Sequence, residues 1–528
     1  MDRIYFGGDI VTMKCEGDTA EAVLTSGGRI KAVGTLEEMG ALADSGVERF
    51  NLDGRTMLPA FIDSHSHLSM LALNLAKADL SQARSFDDIV RILTEFREKN
   101  KLFHGEYIQG FGYDQNCLVE GRHPDKFVLD RVSRENPIFI SHISLHMGAA
   151  NSLALEQAGI TSKTEMPAEL ISRLPNGEPR GLLAETGMTA VYMQLAKLPL
   201  DLPILYQQAQ DIYLKNGIST VQDGALGSDQ FVQLKKLAAS GAIKMDTVAY
   251  LMLPDSRHES VLGNKSLLNG YENHLKIGGY KLVLDGSPQG KTAWLTEPYA
   301  DGTNGTAWMT DEQAGFFVKQ AVNQGVQLLV HCNGDAASEQ YLNSYEKAFA
   351  LSDNLDKRKL RPVMIHSQTV RRDQLERFQR VGMIPSFFVD HVYYWGDVHL
   401  KNLGKKRADN ISPVGWAQEL GLPYTFHQDT PVLPPNMLRT IRTAAERMTL
   451  NGITLGKHHR ISVYNALKAV TLHAAYQYGE EAEKGSIEAG KQADFVILDK
   501  NPLKIPIEEI TDIQVTETIL RDNTLYAV

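Results

Sequence analysis

At 528 residues, with 43% hydrophobic and 22% charged residues, the chain is too long for one ordinary core and close to average soluble composition, which excludes disordered and fibrous classes. A formal net charge of −10 and no long Lys/Arg run argue against nucleic acid or an anionic membrane as partner, and for a small molecule. Cys15, Cys117 and Cys332 are too few and too scattered for a disulfide framework or a thiolate zinc site; with neither a signal-peptide pattern nor a membrane-length apolar run, a cytoplasmic location is expected.

The first stretches, RIYFGGDIV, AVLTSGGRIKAVGT and ERFNLDGRTMLP, are short apolar runs broken by Gly and Asp, the pattern of strands joined by tight turns. The C-terminal GSIEAGKQADFVILDKNP and VTETILRDNTLYAV share that character. Neither end can close a core alone, so residues 1–56 and 482–528 are expected to pair as one small composite β-sandwich domain. Between them, across 57–481, apolar runs precede helical patterns: MLPAFID, GISTVQDG, KMDTVAYLML, GGYKLVLDG, VQLLVHC, RPVMIHS, MIPSFFV and LPYTFHQD. Such runs suit parallel strands buried on both faces and predict an α/β fold of the (β/α)8 TIM-barrel kind. The interval between the first two runs is far longer than a crossover helix needs. Residues 70–215 are therefore read as a large insertion after barrel strand one, with structure of its own, including the helical SFDDIVRILTEFREKNK, and placed to act as a lid.

Five of the runs carry groups able to bind a metal: His65 with His67, Lys281, His331, His366 and Asp429. Barrel enzymes gather their active groups at the C-terminal ends of different strands, so these residues are expected to converge. His65 and His67, one residue apart on an extended backbone, point the same way, although HxH alone is a weak motif in a chain with 16 histidines. Lys281 interrupts an apolar run, where a charged ammonium is costly. A shifted pKa, an ion pair with Asp285 or carbamylation by CO2 would each relieve that cost, and carbamylation, which turns the cation into a bridging carboxylate, is favoured. His331 and His366 are read as ligands or as satisfied core histidines, their repetition on consecutive strands favouring ligands. Asp429 is a turn-forming residue before Pro431, or a metal ligand that also accepts a proton from an attacking water. Tyr113, Asp114, His142 and His146 in the insertion, and Asp285, are the expected substrate contacts, with packing or capping the equal alternative.

The segments LPAFIDSHSHL, KLVLDGS, VHCNGDAA, MIHSQ and HQDTPV, in that order, resemble the amidohydrolase superfamily. GYDQN, AANSLAL, PRGLLAE and TAWLTEPYAD look like its YtcJ-like branch, amidohydrolase family 3, which includes N-substituted formamide deformylases. The resemblance covers nearly the whole chain. It implies two divalent metal ions, zinc first, with manganese, iron or nickel accepted by the same donors. His65, His67 and Asp429 would hold one ion and His331 and His366 the other, with a carbamate on Lys281 bridging them and Asp429 as the catalytic base. His427 and Gln428 stand where the branch usually has a small residue and Ser, and Cys332 where a small apolar residue is commoner.

The expected activity is hydrolysis of a non-peptide C–N bond, an amide or N-substituted formamide of a small molecule, by a metal-bridging hydroxide. Two rivals are a single-metal deaminase on the same barrel, which normally lacks the bridging lysine, and a non-catalytic regulatory or binding scaffold. A homodimer is the general expectation for a chain of this kind.

Overall fold

Strands from both chain ends share one sheet in the computed structural model, which describes residues 2–142, 147–195, 200–255, 257, 262–351 and 357–528. Asp2–Val11, Thr19–Ser26, Arg29–Gly34, Glu48–Asn51 and Thr56–Pro59 are hydrogen-bonded into it with Phe495–Leu498, Val515–Leu520 and Asn523–Ala527. The seam between the two ends is antiparallel, Phe495 opposite Pro59 and Leu498 opposite Thr56. Gly27 and Gly28 both take positive φ, as the two-residue turn between Ser26 and Arg29 requires. Tyr5, Ile10, Val23, Met57, Phe495 and Ile519 pack together as its core.

The apolar runs form a second sheet of eight strands, bonded in chain order: Phe61–Ile62, Ile218–Leu226, Asp246–Met252, Leu275–Val283, Gln327–Cys332, Val363–His366, Ile384–Phe387 and Thr425–Phe426. Every pairing is parallel. The sheet curls until its edges meet. Ser64 Oγ, just past the first strand, donates to the Phe426 carbonyl at 2.9 Å, and the His67 N–H donates to the Thr430 carbonyl at 2.8 Å. Curling of a parallel eight-stranded sheet is what a (β/α)8 barrel demands. Local signals set the crossovers: helix Asp311–Gln324 starts at a Thr310/Gln313 capping box and stops at Gly325, whose φ of 68° releases the chain into the fifth strand.

At the N-terminal end of these strands lies a buried charge cluster. Asp246, which opens the third strand, receives Lys484, Arg521 at 2.7 Å and His274 at 2.9 Å. Lys484 also lies 3.2 Å from Glu480 and donates to Thr220 Oγ1 at 3.1 Å, and Glu480 accepts from Lys276. Burial alone would raise the Asp246 carboxyl, but Lys484, His274 and Arg521 hold it below the usual carboxylate range. Burial likewise works against the Lys484 ammonium, and Asp246 with Glu480 overcomes it.

The chain divides into two compact units, Met70–Gln208 and a unit made of Met1–Ser69 with Ala209–Val528. The division falls inside helix Leu202–Leu214. The smaller unit has its own six-stranded sheet, ordered Ile171–Arg173, Pro179–Ala184, Met147–Ala150, Ile138–His142, Ile108–Tyr113 and Ala78–Asp79. Helix Phe86–Lys99 is capped by Ser85, carries Asp87 and Asp88 in its first turn and Arg97 and Lys99 in its last, and buries Phe86, Ile89 and Leu93. Among the described residues, no helix is long and apolar enough to cross a membrane.

Candidate metal centre

The residues singled out on five strands converge at the C-terminal end of the parallel sheet. Asp429 Oδ1 lies 3.2 Å from His65 Nε2 and 3.1 Å from His67 Nε2, and its Oδ2 lies 3.9 Å from His366 Nε2. His366 Nε2 in turn meets His331 Nδ1 at 2.9 Å. Lys281, 2% exposed, places Nζ 3.4 Å from His65 Nε2. Among the described residues, His65, His366 and Asp429 form a group able to hold an ion, their donor atoms all within 4.8 Å of one another. His366, with φ of 74°, and Asp429, with φ of 55°, both occupy the left-handed region. Such backbone costs about 1–3 kcal/mol per non-glycine residue and persists only where the surroundings impose it.

Outer contacts decide which imidazole nitrogen faces the site. Gln222 Nε2 donates to the Ser64 carbonyl at 2.7 Å and approaches Tyr478 Oη at 3.1 Å, so its Oε1 is the atom turned to His65 Nδ1, at 2.6 Å. His65 therefore carries its proton on Nδ1 and presents a bare Nε2. His67 Nδ1 donates to the Gly224 carbonyl at 2.6 Å, and His331 Nε2 is turned outward, 3.2 Å from the Gly286 carbonyl and 3.0 Å from Asn333 Nδ2, leaving His331 Nδ1 inward. This is the arrangement by which a metal-binding histidine is oriented from behind.

Electrostatics favour the same picture. Burial, with the Lys281 charge nearby, pushes His65 down to about 4 and His331 down to about 3, so both are neutral donors near pH 7. Burial also lowers Lys281 to about 8, leaving a fraction of free amine. Burial opposes the Asp429 carboxylate, yet His65, His67 and His366 hold it well below the usual range. The same contact raises His67 against its burial. Asp429 Oδ1 is shielded and finds no well-formed hydrogen bond among the described residues. A buried anionic oxygen between imidazole nitrogens, with neutral imidazoles beside it, fits divalent cations.

Asp285 is differently employed. It is fully buried and makes no ion pair with Lys281; it accepts backbone N–H groups from Asn333 at 2.9 Å, Gly334 at 2.7 Å and Trp294 at 3.0 Å. It braces the loop that follows His331, and burial raises it to about 7. Within the smaller unit, Tyr113 is buried and meets His123 Nδ1 at 3.1 Å, while His142 Nε2 lies 3.8 Å from Asp114. His146 falls outside the described residues. Gln222 and the Gly224 and Gly286 carbonyls are not among the residues expected from the sequence. The polar pair Gln222–Asp223 closing an apolar run was a usable signal for the first; a backbone carbonyl leaves none.

The amidohydrolase family model matches residues 48–526. The chain is 29% identical over its full length to "Putative amidohydrolase YtcJ" of Bacillus subtilis (strain 168), of which 99% is covered. It is 27% identical to "N-substituted formamide deformylase" of Arthrobacter pascens, over 98% of this chain and 97% of that protein. The solved structure of an uncharacterized metal-dependent hydrolase from Pyrococcus furiosus superposes with a TM-score of 0.77 at 25% identity, covering 96% of this chain and all of that one, 100%.

Proposed function

This chain belongs to the amidohydrolase family, and from that premise we propose that it is a metal-dependent hydrolase cleaving a non-peptide C–N bond, an amide or N-substituted formamide, of a small molecule. The observation that carries this reading is Asp429 Oδ1, set between His65 Nε2 and His67 Nε2 while both rings are committed through Nδ1 to acceptors behind them. His65, His67 and Asp429 would hold one divalent ion, His331 and His366 a second. Lys281, whose lowered pKa gives CO2 a neutral amine to attack, would bridge them as a carbamate. When bound, such ions polarise a carbonyl oxygen and make water a nucleophile near neutral pH.

Asp429, ionised, takes a proton from the attacking water at a carboxylate oxygen and returns it to the leaving nitrogen, so that amide and water become acid and amine. Gln222, Gly224 and Gly286 hold the imidazoles in place while this happens. The similarity to an N-substituted formamide deformylase supports formamides as the first substrates to try. Because His65, His366 and Asp429 could together hold a single ion, a one-ion deaminase stands second. The test is a hydrolysis panel of N-substituted formamides, aryl amides, carbamates and cyclic imides, with metal analysis and mass determination of Lys281 on the same zinc- or manganese-loaded, bicarbonate-treated protein. Two ions, a carbamate and turnover of a formamide or amide are expected. One ion with an unmodified lysine revives the deaminase, and no turnover across the panel favours a scaffold.

A further inference from the structure

His427 is fully buried inside the parallel sheet, two residues before Asp429. Its ring centroid stands 5.1 Å from that of His65 and 5.1 Å from that of His366. Neither of its nitrogens makes a well-formed hydrogen bond among the described residues, the Ser386 carbonyl being the polar backbone group beside it. His366 has a matching gap. Its Nε2 faces His331 and Asp429, while its Nδ1 is buried with no hydrogen-bond partner among the described residues. His65, His67 and His331 are each oriented from behind, by Gln222, Gly224 and Gly286; His366 alone of the four inward imidazoles is not. His65 is not the partner His427 lacks, because its Nδ1 is held by Gln222 and its Nε2 is turned to Asp429 and Lys281.

We propose that His427 is a positioning residue for His366. Its ring accepts a hydrogen bond from His366 Nδ1–H, after a small rotation of the two rings or through one water, and its own N–H turns to the Ser386 carbonyl. The approach needed is short, since His331 Nδ1 and His366 Nε2 come within 2.9 Å with ring centroids 4.3 Å apart. The contact fixes the proton of His366 on Nδ1 and keeps Nε2 available for an ion. A buried imidazole N–H left without an acceptor would otherwise be a standing desolvation cost. The inference rests on the metal-centre reading above.

The test uses the full chain loaded with Co2+, in which each ligating histidine shows its ring N–H as a paramagnetically shifted, exchangeable NMR signal. In the unaltered protein all such signals should exchange slowly with solvent; one fast-exchanging signal overturns the proposal without any variant. His427→Leu should lose or broaden one signal and weaken Co2+ affinity by roughly 10–100-fold. His427→Gln, whose amide oxygen is an acceptor, should restore both. Unchanged signals and affinity in His427→Leu overturn the proposal, as does equal loss in the two variants, which would mark His427 as packing alone. If the unaltered chain takes up no Co2+, the metal-centre reading itself falls, and this inference with it.

Discussion

The two ends of the parallel sheet both bury several ionisable groups, but they treat them oppositely. At the N-terminal end, Asp246, Lys484, Arg521, Glu480 and Lys276 are set against charges of opposite sign, and Glu480 Oε2, which lacks a well-formed hydrogen bond among the described residues, still faces Lys484 at 3.2 Å. At the C-terminal end, Asp429 Oδ1, His366 Nδ1 and both nitrogens of His427 lack well-formed partners among the described residues and face no lysine or arginine but Lys281. A buried cluster that closes on itself holds a fold together; one left short of partners is built around something it binds. The contrast teaches which end of the sheet to disturb for stability and which for chemistry.

Four measurements test that contrast. The largest effect is expected from Asp429→Asn, which should lower kcat by at least ~10³-fold by removing the base, with a melting temperature within a few degrees of the parent; near-normal kcat would remove Asp429 from the mechanism. Next, Lys484→Met should leave Asp246 and Glu480 buried without their counter-charge and cost about 3–5 kcal/mol in chemical denaturation. Its metal affinity should be unchanged, and a large loss of affinity would show that the two ends are coupled. Third, Gln222→Leu removes the acceptor behind His65 and should weaken metal binding by ~10–100-fold in competition with a chelator; unchanged binding would deny the outer contacts their orienting role.

The smallest effect concerns pH. The Asp246 carboxyl is lowered in the fold, so its stabilisation is full above its unfolded value near ~4 and is lost as pH falls further; the Lys484 ammonium is raised, so its contribution is full below its unfolded value near ~10.4 and is lost as pH rises through the folded one. The N-terminal cluster should therefore contribute evenly between those limits. His67 is raised, so in metal-free protein its contribution is present below its unfolded value near ~6.5 and is lost as pH rises through the higher folded one. Metal competes for that same nitrogen, and affinity should climb over the same window. Titration calorimetry at several pH values checks this, and a pH-independent affinity would exclude His67 as a ligand.

Much of the parallel sheet was readable because strands buried on both faces leave near-continuous apolar runs, and a polar residue such as His331 or His366 at the end of one stands out against them. The register of the sheet then brings those ends together. Less was readable where chemistry depends on backbone atoms: nothing in the letters GLY at 224 or 286 announces a carbonyl aimed at an imidazole, nor does a sequence reveal that His366 and Asp429 take left-handed φ. Asp285 illustrates an ambiguity of another kind. A carboxylate near a ligand-bearing loop suggests a salt bridge or a substrate contact, whereas three backbone N–H groups collect on it. The Asp246–Lys484 pairing spans residues 238 apart, a separation over which periodicity carries no information.

The loop that carries His65 and His67 is held from a great distance along the chain. The Ser64 carbonyl accepts from Gln477 Nε2 at 2.8 Å, across 413 residues, and the Asp63 carbonyl accepts from Tyr478 Oη at 2.7 Å. During synthesis the HxH pair therefore leaves the ribosome about 400 residues before the side chains that lock it. The centre can take its final shape only after Gln477 and Tyr478 have emerged, and a ribosome stalled short of Gln477 would display an HxH that has not yet become a site.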